Sequence, residues 1–313
     1  MQLLSFVPLA GGHLEDVARA WPGEGIRQAE DEAGVDPAGV NVVLTFRRRF
    51  SPEFLAKAVN LEWVHCTAAG VELLLTPEFK AHRCLLTNAR GVYNLPMVEH
   101  VLLLILAFAR RLPELMAAQR EARWLPQVRS EEIRGKTVLV AGLGGVGLAV
   151  ARKCRSLGMR VIGTRRSGQP VPGMGTVLTP EGLGQLLPEA DYVLVAAPAT
   201  AETRRLIGEA ELQLMKPSAV LINVARGSLV DQAALTAALQ GGRLRGAGLD
   251  VFEAEPLPRD SPLWAMPNVI ISPHCSASSP ENKRRNIELF VKNLKRWRKG
   301  EPLLNPVDKS RGY

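Results

Sequence analysis

Apolar and polar positions change places along this chain in short, regular blocks. Apolar runs at 3–7, 40–45, 61–66 and 84–87 predict four short strands, and mixed segments around 14–20 and 51–59 predict helices between some of them. A long helix is predicted over 96–111, with Asn94 as its cap and Pro96 in its first turn. Its apolar stretch, 101–109, is far too short to cross a bilayer and reads as a buried helix. From Thr137 the rhythm tightens. Strands are predicted at 137–141, 160–163, 192–195, 219–223, 245–249 and 269–271, joined by helical or helix-like connections. Six strands with crossovers predict a doubly wound parallel sheet. A last helix is predicted over roughly 280–298.

Proline-marked joints near 95–96 and 279–280 flank the regular portion. They predict a first part of a smaller α/β domain at 1–95, an inserted domain at 96–279, and a helix and tail at 280–313 returning to the first domain.

The most informative stretch is TVLVAGLGGVG, residues 137–147. A buried strand, then Gly142, Gly144 and Gly147 in G-x-G-x-x-G spacing, then a helix start, make a dinucleotide cradle. Gly142 permits the tight turn, Gly144 lets a pyrophosphate approach the backbone, and Gly147 lets helix and strand pack closely. The N–H groups at the helix start face the anion.

Composition narrows the classes. With 313 residues and 46% hydrophobic content, full cores are available. Lys+Arg 39 against Asp+Glu 31 gives a net charge of +8, which suits small anionic ligands. No dense basic patch interleaved with aromatics points to nucleic acid; Lys292, Lys295, Arg296, Arg298 and Lys299 have the spacing of a solvated helix face. Cys66, Cys84, Cys154 and Cys275 form no C-x-x-C pair, so reduced thiols in a cytoplasmic protein are expected. Cys275 lies beside His274 with no second ligand at a useful spacing, so a packed thiol is expected there and no metal site. The opening MQLLSFVPLA lacks a basic region and reads as a first strand.

Candidate chemistry collects at three successive strand tips, on the edge where ligands of open α/β sheets bind. Arg226 follows the fourth strand of the regular portion, in NVARGSLVD. An arginine there can hold a carboxylate through two parallel hydrogen bonds. Asp250, Glu253 and Glu255 follow the fifth strand, and His274 follows the sixth. A carboxylate at Glu255 in contact with His274 would favour the protonated ring, able to give its proton to a carbonyl oxygen as hydride arrives at carbon. Arginine for a carboxylate, histidine for a proton and a nicotinamide for hydride describe 2-hydroxy acid chemistry.

The run from GLGGVG through NVARGSLVD, GAGLDVFEAEPLP and SPHCSA resembles the D-isomer-specific 2-hydroxyacid dehydrogenases, over nearly all of 88–313. The resemblance implies a Rossmann cofactor domain inserted into a smaller flavodoxin-like domain. It implies that Arg226 binds the substrate carboxylate and carbonyl, that His274 is the acid/base with Glu255 as partner, and that Asp250 faces the nicotinamide carboxamide. It also implies substrate contacts from Ala69, Gly70 and Val71, with Glu72 at the acidic position after them. Cofactor contacts are implied at Gly145, Val146, Pro198, Thr203, Val224 and Ala225, and a homodimer through the region 96–124. The N-terminal third, including Arg47–Arg49, matches the family poorly. Formate-oxidising relatives pair the histidine with glutamine, where this chain has Glu255. Most similar are NADPH-linked glyoxylate/hydroxypyruvate reductases; the alternative is a nucleotide-sensing binding protein of the corepressor type, without turnover.

The second strand of the cradle ends RVIGTRRSG. NAD-preferring folds place an acidic residue there for the ribose hydroxyls. Here Arg165 takes that position, with Thr164 before it and Arg166 and Ser167 after it, a set that attracts a 2′-phosphate. The expected cofactor is therefore NADP(H) rather than NAD(H).

Overall fold

The computed structural model describes residues 1–23, 25–46 and 48–312. The chain divides into two compact units: Met1–Tyr93 with Ser279–Tyr313, and Asn94–Ser278. Arg47 lies outside the described residues.

In chain order, the first unit contributes β1 (Gln2–Ser5), α1 (Gly12–Ala20), β2 (Gly25–Gln28), β3 (Val40–Thr45), α2 (Pro52–Lys57), β4 (Trp63–Cys66), α3 (Pro77–Ala81) and β5 (Leu85–Asn88). The second contributes α4 (Asn94–Ala109), α5 (Leu112–Arg120), β6 (Thr137–Ala141), α6 (Gly145–Ser156), β7 (Arg160–Thr164), β8 (Val177–Leu178), α7 (Leu183–Leu186), β9 (Tyr192–Val195), α8 (Glu209–Leu214), β10 (Val220–Asn223), α9 (Gln232–Gln240), β11 (Gly246–Leu249) and β12 (Val269–Ile271). The chain then returns to the first unit with α10 (Glu281–Arg298).

The first unit's sheet has the order β2-β1-β3-β4-β5, all parallel, which is the flavodoxin-like arrangement. Its core lies on both faces of the sheet. Val43, Val64 and Leu86 pack with Phe50, Phe54 and Phe79 on one face. Val42, Leu44 and Trp63 pack with Ile287, Phe290 and Leu294 of α10 on the other.

The second unit's sheet runs β12-β11-β10-β9-β6-β7-β8, again parallel throughout, and is a Rossmann sheet. Strand order reverses between β6 and β9. Alternate residues of β6 enter different cores: Leu139 and Ala141 on one face, Val138 and Val140 on the other. Both faces are covered, so the strands read as unbroken apolar runs.

Several elements differ from the sequence expectations. The second sheet has seven strands, because the two-residue edge strand β8 adds to the six expected. β2 carries only half-buried or exposed residues and β8 is two residues long, so neither leaves an apolar run to detect. Asn94 is not a cap but the first residue of α4, where its Nδ2 donates to the Gly145 carbonyl at 3.3 Å. α4 stops at Ala109, and Arg111, with φ 59°, turns the chain into the unforeseen α5. Nor is α4 buried on all sides: Leu103 and Leu106 are exposed. Cys275 is exposed rather than packed. No helix among the described residues is long and apolar enough to cross a membrane.

Candidate active site

The glycine turn between β6 and α6 is built on carbonyls and close contacts. The N–H groups of Gly142 and Leu143 both donate to the Thr164 carbonyl, at 3.2 and 2.7 Å. Gly142 has φ 106°, and a Cβ there would lie 2.5 Å from the Ala197 nitrogen. A Cβ on Gly147 would lie 2.0 Å from the Gly142 carbonyl oxygen, so helix and turn approach closely only because that residue is glycine. A Cβ on Gly144 would meet nothing within 4 Å. Gly144 and Gly145 are exposed and Val146 is half-buried at the start of α6, where the first N–H groups of a helix lack intrahelical partners, the chemistry that accepts a pyrophosphate. These residues fit a dinucleotide.

The other residues expected around a nucleotide fall at the ends of neighbouring strands. Thr164 is buried at the end of β7 and serves the turn through its carbonyl. Arg165 is half-buried, and Arg166 and Ser167 are exposed. Beyond β9, Thr203 Oγ1 donates to the Pro198 carbonyl at 2.7 Å and accepts the Thr200 N–H at 2.8 Å, which folds the 198–203 loop on itself. Val224 is buried after β10, and Ala225 is half-buried.

Arg226 leaves the tip of β10 in extended backbone, with φ −146°. Asn223, buried in the strand's last position, shapes the turn: its Nδ2 donates to the Arg226 carbonyl at 3.0 Å and its Oδ1 accepts the Ala225 N–H at 3.1 Å. One arm of the half-buried guanidinium donates to the Ala225 carbonyl at 2.7 Å. A Cβ on Gly227 would stand 1.9 Å from the Phe252 carbonyl carbon. That glycine lets the turn after β10 lie directly against the turn after β11.

The turn after β11 holds Glu255. Its Oε1 accepts the Phe252 N–H at 3.0 Å, and its Oε2 lies 2.7 Å from His274 Nδ1. The carboxylate thus fixes its own turn and orients the imidazole, which directs Nε2 away from Glu255. Glu253 lies apart from this pair, paired through its N–H and side chain with Gln232.

His274 follows β12 with φ 51°, a left-handed conformation uncommon outside glycine. Asp250 imposes it. Its carbonyl accepts the His274 N–H at 2.8 Å, its Oδ1 accepts the Cys275 N–H at 2.9 Å, and its Oδ2 accepts the Ser276 N–H at 2.9 Å. Ser272 Oγ also donates to Oδ1, at 2.6 Å. Asp250 is 0% exposed. In this structure the carboxylate is enclosed, and it holds the loop that carries His274. Burial and the Asp250 carboxylate push the Cys275 thiol up, away from a nucleophilic thiolate.

Beside the Glu255–His274 pair lies a cavity of about 600 Å³, walled largely by Phe252, Pro256, Leu257 and Trp264. In the first unit, the Ala69–Gly70–Val71 segment follows β4. Asn88 Nδ2 donates to the Ala69 carbonyl at 2.7 Å, and Tyr93 Oη donates to the Thr67 carbonyl. Ala69 is exposed and Val71 is buried. Arg48 donates to the Glu30 carbonyl and stacks on Phe6, 4.3 Å from its ring centre.

Sequence reasoning passed over Asn223, Ser272 and His100. The first two sit inside motifs already quoted. His100 is one of the few polar residues in a mostly apolar helix, beside Glu99, and only its contacts reveal it.

Residues 102–276 match the D-isomer specific 2-hydroxyacid dehydrogenase family, in its NAD binding domain. A glyoxylate reductase of Korarchaeum cryptofilum is 35% identical over 256 residues, 80% of this chain and 76% of the relative. The chain belongs to the D-isomer-specific 2-hydroxyacid dehydrogenases. Two solved structures are similar to it along nearly their whole length. A D-isomer specific 2-hydroxyacid dehydrogenase from Xanthobacter autotrophicus, in complex with NADPH and MES, gives a TM-score of 0.87 at 35% identity, covering 100% of this chain and 99% of that one. The NADPH-dependent glyoxylate/hydroxypyruvate reductase of Sinorhizobium meliloti, in complex with NADP and sulfate, gives 0.86 at 28% identity, with the same coverage. This family member is accordingly an oxidoreductase with an NAD(P)-binding domain.

Proposed function

We propose that this dehydrogenase reduces a small 2-keto acid of the glyoxylate or hydroxypyruvate type to the D-2-hydroxy acid, with NADPH preferred over NADH. The observation that carries the reading is the His274–Glu255 pair, 2.7 Å apart, on the same sheet edge as the glycine turn. A bound nicotinamide supplies the hydride. His274, oriented by Glu255 through Nδ1, gives the carbonyl oxygen its proton from Nε2. Arg226 holds the substrate carboxylate, and the family resemblance also assigns substrate contacts to Ala69, Gly70 and Val71. Arg165 and Arg166 receive the 2′-phosphate, a preference also supported by the NADPH and NADP bound to the two solved relatives. The exposed apolar side chains Leu103, Leu106, Leu112, Met116 and Trp124 support a homodimer through 96–124, which sedimentation tests.

The deciding experiment is a panel of glyoxylate, hydroxypyruvate, pyruvate and bulkier keto acids, each with NADPH and with NADH. Turnover of the small acids, faster with NADPH, is expected. Tight NADPH binding with no turnover of any keto acid would replace the enzyme reading by a nucleotide-sensing one.

A further inference from the structure

We propose that His100 is a positioning residue for His274, acting from α4 through Ser272 and Asp250; the inference rests on the reading of His274 as proton donor. The His100 side chain is only 15% exposed. Its Nε2 lies 3.1 Å from Ser272 Oγ and 4.0 Å from Asp250 Oδ1. A serine hydroxyl has one proton, and here that proton points at the Asp250 carboxylate, 2.6 Å away. Ser272 Oγ can therefore only accept from the imidazole, which fixes His100 with its proton on Nε2. The order of donation is His100 to Ser272 to Asp250.

What hangs on this chain is the loop itself. Asp250 accepts from the N–H groups of His274, Cys275 and Ser276 and from the Ser272 hydroxyl. Its carboxylate is fully enclosed, so the donors around it must be held in place to satisfy it. Without His100, the Ser272 oxygen loses the donor that α4 supplies and its side chain is free to leave the rotamer that meets Asp250. The carboxylate that secures the loop at His274 then loses a donor. The imidazole of His274 shifts against the reacting atoms, and turnover suffers more than binding.

The test compares His100→Leu, His100→Gln, Ser272→Ala and the His100→Leu/Ser272→Ala double variant, with His274→Gln beside them. His100→Leu is expected to lower kcat about tenfold while KM for the keto acid and NADPH affinity change less than about twofold. His100→Gln, whose side-chain amide also donates, is expected to recover most of the loss. The double variant is expected to be no worse than the poorer single one, because both cuts break one chain. Exchange of the Cys275 and Ser276 amide protons is expected to quicken in His100→Leu and not in His100→Gln, a readout independent of turnover. Equal kcat in His100→Leu and wild type, glutamine no better than leucine, or additive losses would each overturn the proposal. Should His100→Leu fail to fold, His100→Gln and Ser272→Ala still decide it: wild-type kcat and amide exchange in Ser272→Ala, or kcat and exchange in His100→Gln disturbed as much as in Ser272→Ala, overturns it. Wild-type turnover in His274→Gln would instead sink the proton-donor reading beneath it.

Discussion

Glu255 divides its carboxylate between a side chain and its own backbone: Oε2 meets His274 Nδ1 at 2.7 Å while Oε1 accepts the Phe252 N–H at 3.0 Å. Both residues are about one-third exposed, so bulk electrostatic attraction between them is weakened by solvent and the geometric role dominates. One group sets the turn after β11 and the ring after β12 together.

Replacing Glu255 by Gln keeps an acceptor for Phe252 and removes the charge beside His274. Turnover is expected to fall roughly tenfold or more, with nucleotide affinity and melting temperature preserved. Glu255→Ala is expected to lose stability as well, since the Phe252 N–H then lacks its partner. Steady-state kinetics alongside thermal melting separates the two. Unchanged kcat in Glu255→Gln would remove Glu255 from the mechanism.

Two glycines of the same turn are expected to respond oppositely. A Cβ on Gly147 collides with the Gly142 carbonyl, whereas one on Gly144 meets no protein atom. Gly147→Ala is expected to lower the melting temperature by several degrees, on the order of 1–3 kcal/mol of overpacking. Gly144→Ala is expected to melt like wild type yet bind NADPH at least about tenfold more weakly, by crowding the pyrophosphate. Calorimetry and fluorescence titration of both variants check this, and undiminished NADPH affinity in Gly144→Ala would move the pyrophosphate elsewhere.

Changing Arg165 to Asp together with Arg166 to Ala is expected to raise KM for NADPH about tenfold or more, since each charge-assisted hydrogen bond contributes roughly 1.5–3 kcal/mol. KM for NADH is expected to change little. Equal effects on both cofactors would defeat the 2′-phosphate assignment.

His65 is fully buried in β4, and burial lowers its pKa to about 3. Its Nδ1 sits 2.7 Å from the Thr87 hydroxyl. The unfolded ring takes up a proton near its ordinary value of 6.5, while the folded ring does not until about pH 3. Its contribution is therefore complete above pH 6.5 and declines as pH falls toward 3, by at most roughly 1.4 kcal/mol per pH unit. Urea midpoints of wild type and His65→Gln, measured at pH 7 and pH 5, are expected to converge at the lower pH. A pH-independent difference would contradict the buried neutral ring.

Where an element buries a face, its signal was legible. β3, β6, β9 and β12 run over the residues their apolar blocks mark, because each is packed by neighbours on one or both sides. β2 and α5 were not legible, since their residues stay largely outside the cores, and β8 was not because two residues make no run. Cys275 shows the same limit in a loop. Its exposure follows from a backbone bent by hydrogen bonds to Asp250, a residue 25 positions earlier.

Local order and chemistry sufficed for the strand–glycine–helix turn, the parallel sheet and the family, because steric demands on glycine and apolar demands on buried strands act on neighbours in the chain. Which groups meet was a tertiary matter. Glu255 reaches His274, and His100 reaches Ser272 from 172 positions away, only because parallel strands end side by side and a helix packs across them. Hydrogen bonds of that kind depend on distances of a few tenths of an ångström, and sequence spacing carries no such information.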